Sequence, residues 1–150
     1  MTVGFNHLGQ LGQLGNQMFQ YAITKSVASK LNVPFKIPNH QNVFDDGIGN
    51  RYTILLFDIF KLESLTNFGF VDTQKYVQEG HFHYDEDIFN ISPQEDFSLW
   101  GFFQSEKYFK DIENDIRDDF KFKDELVSSC SSLINSVDNP IALHIRRGDF

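Results

Sequence analysis

The chain is short of cysteine, arginine and long apolar runs, and each shortage closes off a class of protein. Cys130 is the only cysteine among 150 residues, so no disulfide forms within the chain and no zinc site of several thiolates can be assembled. That usage fits a reducing compartment, and the chain reads as cytoplasmic. No stretch of roughly 18 apolar residues occurs, and the opening Met1-Thr2-Val3-Gly4-Phe5-Asn6-His7 lacks the basic and apolar segments of a secretory signal. Stable membrane insertion is therefore not expected. Positive charge is scarce too: 13 Lys and Arg stand against 21 Asp and Glu, a net charge of −8. Such a chain does not gather nucleic-acid phosphates or an anionic bilayer by net attraction.

What remains is an ordinary globular composition, 41% hydrophobic and 23% charged, which excludes disorder and low-complexity scaffolds. A chain of this length buries roughly 68–70% of its unfolded surface. Its one excess is phenylalanine, 17 residues, expected mostly in the core because the ring buries a large area and asks for no hydrogen bond.

The order of patterns points to an α/β fold. Residues 2–8 are moderately β-prone, Gly9, Gly12 and Gly15 follow at intervals of three, and a helical pattern begins near Asn16, with Phe19, Ala22, Ile23, Val27 and Leu31 on one face. Asn32 ends that helix, and residues 33–37 read as a second strand with Pro34 at its start or on an edge. Residues 38–80 suggest loops with brief strands or helical turns. Residues 99–103 read as a strand, and Ser105 as the N-cap of a helix over 107–120. A further helix covers 123–137, Asn139-Pro140 breaks it, and residues 141–145 form an apolar run expected to be a buried strand. The expected division is an α/β domain over 1–137, with 138–150 beginning a second unit. A strand that ends in an Arg-Arg-Gly-Asp turn ordinarily leads into more chain, so the sequence reads as cut after Phe150.

Several constellations have plain readings. The acidic stretch from Asp111 to Glu125 is interleaved with Lys110, Arg117, Lys121 and Lys123 and lacks calcium-loop spacing, so it reads as the solvated face of two helices. His81 and His83 would ligate a metal only if further ligands converged, and none is near in sequence; no metal site is expected. Cys130 has no adjacent base and reads as a small helix residue.

Two segments carry chemistry. Gly12-Gln13-Leu14-Gly15-Asn16-Gln17 sits on a strand-to-helix turn, where glycines let backbone N–H groups approach a ligand and a helix N-terminus favours anionic groups. It lacks a dinucleotide fingerprint and a P-loop lysine, and a turn needing positive φ would look the same. In His144-Ile145-Arg146-Arg147-Gly148-Asp149, two of the four arginines stand together after an apolar strand. Arginine suits bidentate contact with a diphosphate and keeps its charge when partly desolvated. Gly148 permits a tight turn, and Asp149 orients a guanidinium or accepts from a sugar or base; a surface ion pair of Asp149 with either arginine is the plainer alternative.

Three ordered stretches, GQLGNQMFQYA at 12–22, GFFQSEKYF at 101–109 and HIRRGDF at 144–150, together resemble glycosyltransferase family 11, the bacterial α-1,2-fucosyltransferases. Gln13 stands where that family usually has Gly or Arg. The resemblance implies a Rossmann-like N-terminal half of a GT-B glycosyltransferase, truncated before most of the donor-binding domain. It also implies inverting transfer of L-fucose from GDP-fucose to the 2-hydroxyl of a galactose-type glycan acceptor, in membrane-associated glycan biosynthesis, with no cofactor and no obligatory metal. By match to the motif, Arg146 takes the pyrophosphate with Arg147 in support. His144, Gly148, Asp149, Gly12, Gly15, Asn16 and Gln17 are the expected substrate contacts, and no catalytic base is identified. Two alternatives stand beside this: a non-catalytic sugar- or nucleotide-binding module, and a half-protein that needs a C-terminal partner.

Overall fold

β1 spans only Val3–Gly4, yet it holds the middle of the main sheet. The computed structural model describes residues 1–45, 51–62, 65, 67–91 and 94–145. After β1 come α1 (Leu14–Leu31), β2 (Phe35–Lys36), β3 (Val43–Asp45), β4 (Arg51–Thr53), α2 (Leu56–Ile59), β5 (Tyr76–Gln78), β6 (Phe97–Trp100), α3 (Glu113–Asp119) and α4 (Asp124–Asn135), with 3₁₀ turns at Glu86–Phe89 and Glu106–Ile112. Four strands lie in the order β2-β1-β6-β5, all pairs parallel, with Val3 opposite both Phe35 and Phe97, and Val77 opposite Leu99. β3 and β4 form a separate antiparallel pair with Phe44 opposite Tyr52. This is a mixed α/β fold with a parallel sheet, consistent with a Rossmann-like half.

Parallel strands pair stably only where their faces are covered, and the central strands are. Val3, Phe5, Phe97 and Leu99 are fully buried, with Tyr21, Ile23, Phe103 and Tyr108. Phe103 packs edge-on to Phe5 at 6.4 Å and to Tyr108 at 5.6 Å between ring centroids. The expected Phe core is realised by Phe5, Phe60, Phe97 and Phe103, with Phe35, Phe44, Phe57, Phe89, Phe109 and Phe120 against it.

α1 is the expected first helix, begun two residues earlier and ended by Asn32 in the left-handed conformation at φ 55°. It is enclosed on more than the apolar stripe: Gln17, Gln20, Thr24 and Ser26 are buried as well. Each has hydrogen-bonding work there. Thr24 Oγ1 donates to the Gln20 carbonyl at 2.6 Å, and Ser26 Oγ donates to the Tyr108 carbonyl at 2.7 Å.

Other expectations are corrected. The strand expected at 99–103 is β6, and it stops at Trp100. Gly101 lies at φ +152° and Phe103 at φ +51°, and the Glu79 carboxylate accepts the N–H groups of Phe102 (2.8 Å) and Phe103 (3.0 Å), so the chain turns. A Cβ on Gly101 would come 2.5 Å from that of Glu79. The single helix expected over 107–120 is a 3₁₀ turn followed by α3, interrupted at Phe109, whose φ of −131° is not helical. Ser105 stands at the N-cap position but its hydroxyl makes no capping bond. Residues 141–145 form no strand and lie in solvent, with Ile141 95% and Leu143 83% exposed. A strand needs a hydrogen-bonding neighbour, and among the described residues none pairs with this run.

Asp119 departs from the solvated acidic face. It is buried, accepts from the Tyr21 hydroxyl at 2.8 Å and pairs with Lys25 Nζ, tying α3 to α1. Burial, and then the Asp119 charge, pushes the Tyr21 pKa far up.

Candidate functional site

The turn from β1 into α1 lies at the carboxyl ends of β1 and β6, the edge where open parallel sheets bind ligands. Gly12 adopts φ +99°, and a Cβ there would sit 1.9 Å from the Asn16 amide nitrogen; both facts demand glycine. Gly15 behaves differently. It lies in the first turn of α1 with open space where a Cβ would be, so its lack of a side chain leaves the helix start uncovered.

Two buried amides hold this turn. Gln17, 1% exposed, donates to the Thr53 carbonyl at 2.9 Å and to the Gly12 carbonyl at 3.5 Å, and accepts from the Leu55 N–H at 2.8 Å. Gln20 donates to the Leu11 carbonyl at 2.9 Å and the Gly101 carbonyl at 3.3 Å, joining the glycine turn to the end of β6. Its Oε1 is buried with no partner among the described residues. At the surface, Asn16 Oδ1 accepts from Gln104 Nε2 at 2.5 Å, a second tie between the turn and the segment after β6.

Of the residues singled out from sequence, Gly12, Asn16 and Gln17 come together here, with Gly15 beside them. Gln17 directs its polar atoms inward, and Asn16 is the one with a partly exposed side chain. His144 is exposed. Arg146, Arg147, Gly148 and Asp149 lie outside the described residues. Sequence reasoning missed Gln20 and Gln104, whose partners are 81 and 88 residues away; the strand-to-helix junctions at Gly101 and Gly12 were the available signal. It also missed an aromatic group at the same edge. His7 lies 4.2 Å from Trp100 and 5.6 Å from Tyr76, ring centroid to ring centroid.

Other features have simpler roles. A mostly apolar groove of about 620 Å³ runs from Gly15, Met18 and Phe19 to Phe109, Ile116 and Phe120. His81 and His83 sit in a bend, stacked 3.5 Å apart and 4° from parallel, a posture in which their nitrogens do not converge on one ion. Among the described residues no group of three or more His, Cys, Asp or Glu side chains is placed to hold a metal, and no helix is long and apolar enough to cross a membrane.

Comparison with known proteins adds one finding. No curated protein and no solved structure matches the chain. The profile of glycosyl transferase family 11, a family of fucosyltransferases, matches residues 3–150. That span runs from the first strand through the glycine turn, the Gly101 junction and the paired arginines, and it makes the chain a member of glycosyl transferase family 11.

Proposed function

We propose that the chain serves an inverting fucosyltransferase that moves L-fucose from GDP-fucose to the 2-hydroxyl of a galactose-type acceptor, on a GT-B scaffold at the cytoplasmic side of glycan synthesis. The observation that carries this reading is the family match over 3–150, which takes in the HIRRGDF stretch. The glycine turn at the carboxyl edge of a parallel sheet supports it, since sugar nucleotides bind at such edges.

In this reaction the bond between fucose C1 and the diphosphate oxygen breaks, and its electron pair leaves with GDP. The acceptor oxygen bonds C1 from the opposite face and loses its proton to a base. Negative charge grows on the departing diphosphate as positive charge grows on the sugar ring. Arg146, with Arg147 in support, meets that charge more strongly in the transition state than in the ground state, which is what accelerates the step. The two guanidiniums neutralise the leaving group, the task a divalent cation performs in other transferases, so the reaction needs no metal. The motif match also assigns Gly148, His144 and Asp149 to substrate contact.

The test is Arg146→Ala in the intact enzyme, with transfer from GDP-fucose followed by GDP release. Turnover should fall on the order of 10²–10³-fold with circular dichroism unchanged. A loss of less than about threefold, under 1 kcal/mol of barrier, sinks the assignment.

A further inference from the structure

Side chains alternate between the two faces of a sheet, and in this one the alternation leaves an aromatic group on the less covered face. Leu99 and Phe97 point into the core. Ser98 and Trp100 therefore point the other way, and Tyr76 and Gln78, their partners in register on β5, point with them. His7, three residues past β1, folds onto the same group: it meets Trp100 edge to face at 4.2 Å, while Tyr76 and Trp100 stand perpendicular at 6.3 Å. Tyr76 is 43% exposed, and His7 and Trp100 are half-buried.

The polar tips of these rings are disengaged. His7 uses Nδ1 on Gln10 Oε1 at 3.1 Å, which leaves Nε2. Among the described residues neither Nε2, the Trp100 indole N–H nor the Tyr76 hydroxyl has a hydrogen-bond partner. Because all three rings reach the surface, these tips stand open to solvent and to a ligand. Here aromatic bodies and open tips share one edge of the sheet, beside the glycine turn.

We propose that His7, Tyr76 and Trp100 form a sugar-stacking subsite that seats the acceptor, and that its occupant is a galactose-configured pyranoside; this rests on the transferase reading above. A pyranoside has an apolar face of C–H bonds and a rim of hydroxyls. In the galacto configuration the axial 4-hydroxyl clears one face, where C3–H, C4–H and C5–H form a continuous patch for an aromatic ring. The equatorial hydroxyls then reach the indole N–H, the tyrosine hydroxyl and Nε2. Pockets for small ligands pair apolar walls with a few directed polar groups in this way. A single stacked ring gives weak binding, so millimolar affinity is expected.

Trp100 is the only tryptophan, so its emission reports this subsite alone. The experiment titrates the 150-residue chain with methyl β-galactoside up to about 100 mM, a range that brackets millimolar affinity, with methyl α-mannoside as the contrast. The expected result is a saturable change in Trp100 emission with galactoside, at least about threefold tighter than with mannoside, and weakened about tenfold by Tyr76→Ala. Trp100→Ala removes the reporter, so it is followed by saturation transfer to the sugar protons, which should disappear. A response that stays linear to the highest concentration, or one unchanged in a folded Tyr76→Ala protein, overturns the proposal. The two readings fail separately. Transfer that survives Tyr76→Ala and Trp100→Ala undiminished removes the subsite and leaves the transferase. Saturable galactoside binding in an intact enzyme that transfers no fucose removes the transferase and leaves a sugar-binding site.

Discussion

α1 and α4 are both unmistakable helices, yet one is enclosed and the other buries nothing. α1 carries four polar residues, Gln17, Gln20, Thr24 and Ser26, into the interior and supplies hydrogen bonds for them. α4 has the cleaner apolar stripe, Leu126, Val127, Leu133 and Ile134, and no buried residue. Periodicity makes a helix amphipathic; only a neighbour makes it buried. The difference teaches that the weight of this structure rests on contacts between distant segments, and that α4 adds local structure without adding a buried residue to the core.

The comparison can be broken first at its strong end. Tyr108 is buried against Phe103, Tyr84 and Phe89, and its hydroxyl accepts the Asp85 N–H at 3.0 Å. Tyr108→Ala should cost about 3–5 kcal/mol in chemical denaturation, as cavities left by large aromatics do. A cost below about 1 kcal/mol, the level of an ordinary surface change, would show that the core is not closed around this ring.

A middle-sized effect sharpens the link between α1 and α3. Tyr21 is held neutral by burial first and then by the charge of Asp119, so its folded pKa lies above the unfolded value of about 10. The unfolded chain then releases this proton at a pH where the folded chain keeps it. The contribution is fully present below about pH 10 and falls as pH rises beyond it. In Tyr21→Phe the decline of stability above about pH 10 should be shallower, as measured by denaturation across an alkaline series. An identical slope would mean Tyr21 ionises as freely folded as unfolded.

The smallest effect belongs to α4. Leu133 is 70% exposed, and Leu133→Ser should change stability by no more than about 0.5 kcal/mol. A loss above about 1.5 kcal/mol, approaching the burial of a leucine side chain, would show this face covered in solution and erase the contrast with α1.

Local features were legible from sequence and distant ones were not. The β-α-β opening and the end of α1 at Asn32 follow from spacing and from a residue that tolerates positive φ. Gly12 and Gly15 look alike in sequence, and only the positive φ of Gly12 and its closeness to Asn16 separate the one that must be glycine from the one that need not be. From sequence Gln17 is expected to contact substrate and Gln20 carries no signal of its own; both turn inward because their partners at Thr53, Leu55 and Gly101 are set by the tertiary fold. The break at Phe109 hides inside a good helical pattern, since spacing records which side chains are apolar and not which backbone angles the packing imposes. The run at 141–145 shows the same limit, because apolar content fits a strand for burial without supplying its neighbour. The family was legible in three short stretches, and the arginines that point to its chemistry stand beyond the described residues.

Strand order also governs when the site can exist. β1 is made well before its neighbour β6, which is drawn from Phe97–Trp100, and the Gln20 tie to Gly101 closes only once β6 is made. During synthesis the glycine turn therefore waits for the whole segment from β1 to β6 before its second wall arrives. Closing so long a loop delays native pairing, and during that wait α1 must keep its buried amides from finding other partners. A chain stopped before β6 would carry a formed helix and an untied turn, a species with exposed strand edges that favours association with its own kind.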